Sequence, residues 1–294
     1  MIGAGVIPFG ERLESVFAAY GHLCLGLDPH RSVLDAWGQP DSAEGVREFG
    51  LRAIEAAAGL IGIVKPQVAF FERHGAAGYA VLERLLAEAR DAGLIVIADA
   101  KRGDLGSTVV AYGDAWLRPG SRLEADAMTI SAFQGLGSIE QVMIAAEAAG
   151  KGLFVLAATS NPEAAAIQRA VLQQSSRAGS TVAQAITDGV ISWNQGRADA
   201  TSHALGSIGV VFGATTDLPA AGIDIEAEPP RPGLPVLAPG FGHQGAEPRE
   251  LRSRFGGFAS GVVANESRSL LMAGPDGLAD AIARRADEYG AAVA

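Results

Sequence analysis

Short apolar runs alternate with amphipathic stretches along almost the whole chain, and this alternation restricts the possible folds most strongly. Between two such runs, in Gly78–Ala92, the apolar residues Leu82, Leu85, Leu86 and Ala89 recur at the spacing of one helix face. Strands that are apolar throughout and separated by helices indicate a parallel sheet covered on both faces. The predicted strands are LCLGLD, LIGIVK, LIVIAD, AMTIS, LFVLAAT, IGVVFGA, LPVLAP and FASGVVA.

Eight strand and helix units in 294 residues favour an α/β fold of the TIM (β/α)8 barrel class, as a single domain over residues 1–294. A doubly wound open sheet is the alternative, but no G-x-G-x-x-G motif follows the first strand. The segment 161–205 is long for one connection, so we expect an insertion there, with a helix in STVAQAITDGVISWNQ. Proline and acidic residues at 222–233 predict a surface loop after a shortened sixth helix.

Composition narrows the possible partners and the compartment. The chain carries 23 basic and 33 acidic residues, a formal charge of −10, so we expect neither nucleic acid nor an acidic membrane surface as a partner. The N-terminus lacks a basic region before its apolar stretch, and no run of 18 apolar residues occurs, which argues against a signal peptide and a membrane span. Cys24 has no cysteine to pair with, as is common in the cytoplasm, and we expect it to be a buried apolar residue.

The ends of the predicted strands are unusually polar. In a β/α barrel the chemistry takes place at the C-terminal ends of the strands, where the following loops meet. We therefore regard this group as candidates for a site: Asp28, Lys65, Asp99, Lys101, Ser160, Asn161, and the segments PGFGHQG and NESRS.

Lysine is rare in this chain and occurs at two of these strand ends. Of the 23 basic residues, three are lysines, namely Lys65, Lys101 and Lys151. A compact ammonium can donate a proton, whereas a guanidinium holds its protons too tightly. Lys65 and Lys101 are therefore candidates for chemistry, unless the bias is chance. Lys151 precedes a strand and is expected to be structural.

Asp99, Lys101 and Asp104 form a compact charged motif at the end of the third strand. Asp99 and Lys101 have the same strand parity, so their side chains should point into the mouth of the barrel. Asp104 follows in the turn before a helix. Two carboxylates near one ammonium would raise its pKa and fix its direction. A purely structural salt-bridge cluster is the alternative, although buried ion pairs are costly without another purpose.

The last two strand ends suggest an anion site. APGFGHQG offers glycine-rich backbone amides together with Gln244, and Arg268 follows the eighth strand. Amides and a guanidinium in the loops after strands seven and eight can bind a phosphate dianion. The histidines show no paired ligand spacing, so no metal site is predicted; they are His22, His30, His74, His203 and His243.

The segment DAKRGDLGST resembles the D-x-K-x-x-D signature of the orotidine 5'-phosphate decarboxylase suprafamily. Five further strand ends are similar, in the same order, to those of orotidine 5'-phosphate decarboxylases of the longer, actinobacterial-like type 2 subtype. They are LGLDP, VKPQVAFFE, LAATSNP, LAPGFGHQG and SRSLL. The resemblance extends from about Leu23 to Ala273.

The resemblance implies a carboxy-lyase that converts orotidine 5'-phosphate to uridine 5'-phosphate, the last step of de novo UMP synthesis, without a cofactor. Lys101 would stabilise a C6 carbanion and protonate it, with Asp99 beside the substrate carboxylate. A homodimer would share its sites, with Asp104 and Thr108 acting in the neighbouring subunit. The substrate-binding residues would be Asp28 and Lys65 at the ribose, Ser160 at the pyrimidine, and Pro239, Gln244 and Arg268 around the phosphate.

Three other functions remain open. Sugar-phosphate decarboxylases and aldolases that share the motif use magnesium. Such proteins have an acidic residue at the end of the second strand, where this chain has Lys65. A Schiff-base aldolase would use Lys101, although acids that raise the pKa of a lysine oppose that chemistry. A nucleotide-binding regulator could have kept the pocket and lost the reaction.

Overall fold

Eight parallel strands close into a barrel in sequence order, with β1 paired to both β2 and β8. The computed structural model describes residues 5–197 and 205–293. The strands are β1 Leu23–Leu27, β2 Ile63–Pro66, β3 Ile95–Arg102, β4 Ala127–Ile130, β5 Gly152–Ala158, β6 Ile208–Phe212, β7 Val236–Pro239 and β8 Val262–Glu266. The predicted TIM-barrel class is confirmed.

Helices cover the outside of the barrel and one of its ends. They are α1 Phe9–Tyr20, α2 Arg31–Ala36, α3 Ala43–Ala57, α4 Ala69–Glu72, α5 Gly75–Asp91, α6 Gly106–Leu117, α7 Glu140–Ala148, α8 Ala165–Gln168, α9 Val182–Gln195, α10 Leu251–Phe255, α11 Arg268–Leu271 and α12 Gly274–Val293. Helix α5 buries the predicted face, Leu82, Leu85, Leu86 and Ala89, against the sheet. None of the described helices is long and apolar enough to cross a membrane.

The last strand begins later than the sequence pattern predicts. FASGVVA predicts a strand from Phe258, but β8 starts at Val262, and a 3-10 turn occupies Gly256–Gly261. Gly256 has a φ of 49°, and a Cβ there would lie 2.0 Å from the carbonyl oxygen of Ile225. The chain turns tightly at this contact, which delays the extended conformation.

Helix α1 closes the end of the barrel where the strands begin. Its Phe9 and Leu13 are fully buried with the side chains inside the barrel, among them Cys24 and Phe154. The rings of Phe9 and Phe154 meet edge to face with centroids 6.0 Å apart. A Cβ at Gly152 would lie 2.4 Å from the Phe9 ring, so glycine at this position makes room for the helix. Cys24 is buried inside the barrel, as predicted.

The two segments that depart from regular alternation differ from each other. Between β5 and β6, a turn at Pro162–Ala164 and α8 precede α9, whose N-cap hydroxyl, from Thr181, accepts the backbone N–H of Gln184. Residues 198–204, which include His203, belong to the expected insertion and lie outside the described residues. After β6, the expected short helix is a single 3-10 turn at Pro219–Ala221, and an irregular loop follows through 222–233.

Candidate active site

A cavity of about 380 Å³ opens at the C-terminal ends of the strands. This volume lies in the range of small-molecule sites. Of the ten site residues that the resemblance implies, eight line it: Asp28, Lys65, Asp99, Lys101, Ser160, Pro239, Gln244 and Arg268. They come from six strands or the loops after them, so closure of the barrel brings together residues that lie far apart in sequence.

Asp99 is the centre of a charged group at the base of the cavity. Its Oδ2 accepts a hydrogen bond from Lys65 Nζ at 2.8 Å and one from Gln67 Nε2 at 3.0 Å. Its Oδ1 accepts from Lys101 Nζ at 2.6 Å and from the Thr129 hydroxyl at 2.9 Å. Four donors thus fix the Asp99 carboxylate, and through it both ammonium groups.

The surroundings of this group shift the pKa values of Asp99 and Lys65 in opposite directions. Burial acts to raise the pKa of Asp99, but the charges of Lys65 and Lys101 outweigh it and hold the pKa well below the ordinary carboxyl range. Burial acts to lower the pKa of Lys65, but Asp99 and Asp28 outweigh it and hold the pKa above its ordinary value. Asp99 and Lys65 are therefore both ionised at neutral pH.

Lys101 differs from the sequence prediction in its pKa. Burial lowers the pKa of Lys101, and the neighbouring charge of Lys65 adds to this, so that the attraction of Asp99 does not restore the ordinary value. The prediction that flanking acids raise this pKa is therefore wrong. The main physical reason is burial of the ammonium, and a second ammonium, that of Lys65, shares Asp99, whereas Asp104 does not contact Lys101 within the chain.

The backbone at Lys101 adopts an unusual conformation. Its φ is 48°, in the left-handed region that residues with a Cβ rarely occupy. Its backbone N–H donates to the Thr129 hydroxyl at 2.9 Å. Strand parity correctly predicts that Asp99 and Lys101 face the same space, but it does not predict this conformation.

Asp28 lies at the end of β1, and one of its carboxylate oxygens, Oδ1, is buried without a partner in the part of the chain that the structure describes. The side chain lines the cavity beside Lys65 and contributes to its raised pKa. A buried carboxylate oxygen is costly to leave unpaired. A ligand hydroxyl in the cavity would satisfy it.

The opposite part of the cavity suits an anion. Arg268, in the first turn of α11, lines the cavity and forms no salt bridge with the described residues. The Ser267 hydroxyl beside it is buried and has no hydrogen-bond partner within residues 5–197 and 205–293. Gln244 belongs to a 3-10 turn in the glycine-rich loop, and its Oε1 accepts the Ser160 hydroxyl at 3.3 Å. The loops after β5, β7 and β8 thus converge around one space.

Glycine is required in that loop at Gly242. Its φ is 67°, and a Cβ there would lie 2.4 Å from Glu266 Oε2 and from the Ser269 hydroxyl. Glu266 is fully buried and accepts hydrogen bonds from Ser269 and Tyr289. The loop therefore rests directly on the residues that anchor α11 and α12.

Asp104 and Thr108 lie outside the cavity of this chain. Asp104 precedes α6, and its Oδ1 accepts the backbone N–H of Leu105. Thr108 is exposed in the first turn of α6. The chain by itself thus brings eight of the ten expected residues together.

Polar residues that line the cavity but were not among the sequence candidates include Gln67 and Thr129. A signal for Thr129 is present, because it interrupts the apolar run AMTIS. A lone polar residue in a strand that is otherwise buried needs a partner. Over residues 5–197 and 205–293, no three His, Cys, Asp or Glu side chains lie close enough together to hold a metal ion.

Comparison with known proteins agrees with this geometry. The sequence profile of the Orotidine 5'-phosphate decarboxylase / HUMPS family matches residues 21–281. The orotidine 5'-phosphate decarboxylase of Corynebacterium efficiens is 43% identical over 268 residues, which are 91% of this chain and 91% of that protein. The one from Nocardioides sp. is 43% identical over 284 residues, covering 96% and 99% of the two chains.

A crystal structure from Streptomyces avermitilis, described provisionally as an orotidine 5'-phosphate decarboxylase, superposes with a TM-score of 0.89 at 42% identity. The match covers 100% of this chain and 98% of that one. The Leishmania donovani OMP decarboxylase structure is 26% identical with a TM-score of 0.70, covering 98% and 99%. With its closed barrel and a profile match over most of its length, this chain belongs to the orotidine 5'-phosphate decarboxylase / HUMPS family.

Proposed function

We propose that this protein decarboxylates orotidine 5'-phosphate to uridine 5'-phosphate, with Lys101 as the residue that stabilises and protonates the reacting carbon. The observation that carries the proposal is the presence, within one cavity, of a fixed Lys65–Asp99–Lys101 group and of Arg268, which has no acidic partner among the described residues. The ammonium of Lys101 in the charged group can stabilise a carbanion, and the guanidinium of Arg268 can bind a phosphate. The relatives at 43% identity carry the name of this activity.

The chemistry requires a positive charge at the reacting carbon. Loss of carbon dioxide from C6 leaves a lone pair in the plane of the ring, where the π system cannot delocalise it. A preorganised ammonium stabilises such a charge as it develops. Lys101 meets this requirement because Asp99 fixes its Nζ at 2.6 Å.

The lowered pKa of Lys101 supports its second task, which is to transfer a proton to C6. A general acid works best when its pKa is not far above the working pH. Burial and the charge of Lys65 lower the pKa of Lys101, while contact with ionised Asp99 favours the ammonium form. The lowered pKa therefore favours Lys101 as the proton donor.

The rest of the cavity suits the rest of the nucleotide. Asp28 and Lys65 would hold the ribose hydroxyls, since none of the described residues donates a hydrogen bond to the buried Asp28 Oδ1. Ser160 would contact the pyrimidine, and its hydrogen bond to Gln244 connects that end to the phosphate loop. Arg268, Gln244 and the wall at Pro239 would bind the phosphate. Binding energy from the phosphate can then order the reacting end.

We further propose a homodimer with shared active sites. Asp104 and Thr108 lie next to Leu105, which is 59% exposed. Because Asp104 and Thr108 do not line the cavity of their own chain, a second subunit would be needed to bring them to an active site. Asp104 and Thr108 would then enter the partner's cavity.

We place the enzyme in the cytoplasm, where Cys24 would stay reduced. We treat residues 1–294 as one domain with an insertion at 161–205 and a loop at 222–233.

Two alternatives use the same motif differently. A magnesium-dependent sugar-phosphate enzyme would place a cation where the buried Lys65 ammonium lies, and like charges would repel there. The lowered pKa of Lys101 makes a Schiff-base aldolase more compatible with this site than the sequence alone suggests. The contact between Lys101 and Asp99 opposes Schiff-base formation, because it favours the ammonium form, which is not a nucleophile.

The test is the absorbance change on adding orotidine 5'-phosphate to the purified protein in EDTA. We expect turnover in EDTA and none in Lys101→Ala, which should fold normally because Lys101 is half exposed. Absence of turnover with tight binding of uridine 5'-phosphate would favour a regulator. Activity that needs magnesium, or borohydride trapping of Lys101 with a carbonyl substrate, would favour the other two functions.

A further inference from the structure

Strands β3 and β4 lose their regular register at the catalytic end. Ala98 pairs with Met128, and the next aligned pair is Arg102 with Ile130. Three residues of β3, from Asp99 to Lys101, therefore stand opposite one residue of β4, which is Thr129. Irregularities of this kind re-aim side chains next to active sites.

The side chain of Thr129 replaces the backbone pairing that the bulge removes. Its hydroxyl oxygen accepts the N–H of Lys101 at 2.9 Å. Its O–H donates to Asp99 Oδ1, also at 2.9 Å. Regular pairing resumes when Ser131 N–H donates to the carbonyl oxygen of Arg102 at 2.7 Å. The Thr129 hydroxyl thus connects β4 to the bulged part of β3, as an acceptor for Lys101 and as a donor to Asp99.

These two hydrogen bonds act on both halves of the catalytic pair. Lys101 holds a φ of 48°, which is disfavoured for a residue with a Cβ and persists only where its surroundings fix it. The bond from the Lys101 N–H holds the start of that side chain. The bond to Asp99 Oδ1 holds the same oxygen that contacts Lys101 Nζ at 2.6 Å, so it holds the end of the side chain as well.

The position of Thr129 suits this role better than a role in packing alone. It is 1% exposed on a strand whose other residues, Ala127, Met128 and Ile130, are apolar. Valine has nearly the same shape and would fill the same space. A buried hydroxyl is accommodated when it both donates and accepts a hydrogen bond, and the Thr129 hydroxyl does both, with Asp99 and Lys101.

We propose that Thr129 is a positioning residue for decarboxylation, which fixes the Lys101 ammonium through the backbone of Lys101 and the carboxylate of Asp99. This inference rests on the proposed function. It predicts that Thr129 acts on kcat more than on nucleotide affinity, because a misplaced ammonium stabilises the carbanion less while the phosphate and ribose contacts stay in place.

The experiment compares Thr129→Val, Thr129→Ser and the wild-type protein for kcat and KM with orotidine 5'-phosphate. Calorimetric titration with uridine 5'-phosphate gives the fraction of competent sites and their affinity. We expect kcat per competent site to fall at least tenfold in Thr129→Val, with the uridine 5'-phosphate Kd within about threefold of wild type. Thr129→Ser keeps the hydroxyl and should recover most of kcat. If the valine variant does not fold, Thr129→Ala compared with Thr129→Ser makes the same test.

Thr187→Val is the matched control. Thr187 is also buried, and its hydroxyl donates to the Ala183 carbonyl oxygen at 2.9 Å in α9, away from the cavity. It should leave kcat unchanged. A Thr129→Val enzyme with kcat within twofold of wild type, a serine variant as impaired as the valine one, or a loss confined to affinity would overturn the proposal. No turnover by the wild type would instead refute the proposed function and this inference with it.

Discussion

Replacing Asp99 by asparagine tests whether the cavity is built around one shared carboxylate. The substitution keeps the size of the side chain and removes the charge that Lys65 and Lys101 both contact. The side chains of Lys65 and Asp99 are 3% and 8% exposed, so solvent screens their interaction little. Lys101 is 47% exposed, and its contact adds little to stability.

The cost of the substitution follows from the Lys65 contact. At 2.8 Å and an effective dielectric constant near 20, the attraction is about 6 kcal/mol, before desolvation is counted. Removing one partner of a buried pair typically costs about 3–5 kcal/mol, because the other charge stays buried. We expect Asp99→Asn to lower the free energy of unfolding by this amount at neutral pH.

The pH dependence gives a sharper test. In the wild type the folded pKa of Lys65 is raised, so its stabilisation is fully present below the unfolded value of about 10.4 and is lost above it. Without Asp99, burial dominates and the folded pKa falls below that value. The variant should then gain stability as pH rises toward about 10, and its deficit should shrink. The wild-type contribution of Asp99, whose pKa is lowered, is lost only in acid, below about pH 4.

Urea unfolding of both proteins at about pH 7 and pH 9.5, with kcat measured at each pH, makes this comparison. Asp126→Asn is the control. Asp126 is also buried and paired with Arg12 and Lys151, at the other end of the barrel. It should destabilise the fold and leave kcat per folded molecule intact. A loss below about 1 kcal/mol in Asp99→Asn, or an equal deficit at both pH values, would refute the reasoning.

Three further predictions concern other parts of the molecule. Arg268→Ala should lower kcat/KM by roughly 10- to 100-fold, since a hydrogen bond to a charged group contributes about 1.5–3 kcal/mol. Replacement of the exposed Arg249 by alanine is its control, and equal steady-state kinetics for the two variants would contradict the phosphate assignment. Mixed Lys101→Ala and Asp104→Ala subunits should regain activity in heterodimers, and no recovery after proven subunit exchange would exclude a shared site. Phe9→Ala should cost about 3–5 kcal/mol in urea unfolding and spare kcat, because Phe9 fills the end of the barrel away from the cavity; a large loss of kcat would show that the two ends are coupled.

The fold was predictable because its signal repeats. Each apolar run is buried on both sides, and this pattern survives small errors in the ends of strands, as at Val262. The closing helix α1 was missed because its function depends on Gly152 and Phe154, far along the chain. No local pattern in residues 9–20 shows which end of a barrel the helix will cover.

The site was predictable at the level of strand ends and less so in its electrostatics. Strand parity placed Asp99 and Lys101 together, and their contact confirms it. The predicted direction of the pKa shift of Lys101 was wrong, because the shift depends on how deeply the ammonium is buried and on the charge of Lys65, which belongs to another strand. The role of Thr129 likewise depends on a register shift between β3 and β4, which no sequence spacing reveals.

The closing helix also constrains the order of events as the chain is made. Phe9 docks on Phe154, and Arg12 donates to the Gly150 carbonyl oxygen, a separation of 138 residues. During synthesis the helix leaves the ribosome long before its docking surface exists. The apolar side chains of Phe9 and Leu13 therefore remain exposed to solvent until about half of the chain has been synthesised. Contacts this distant slow folding and extend the time in which association with other chains competes with it.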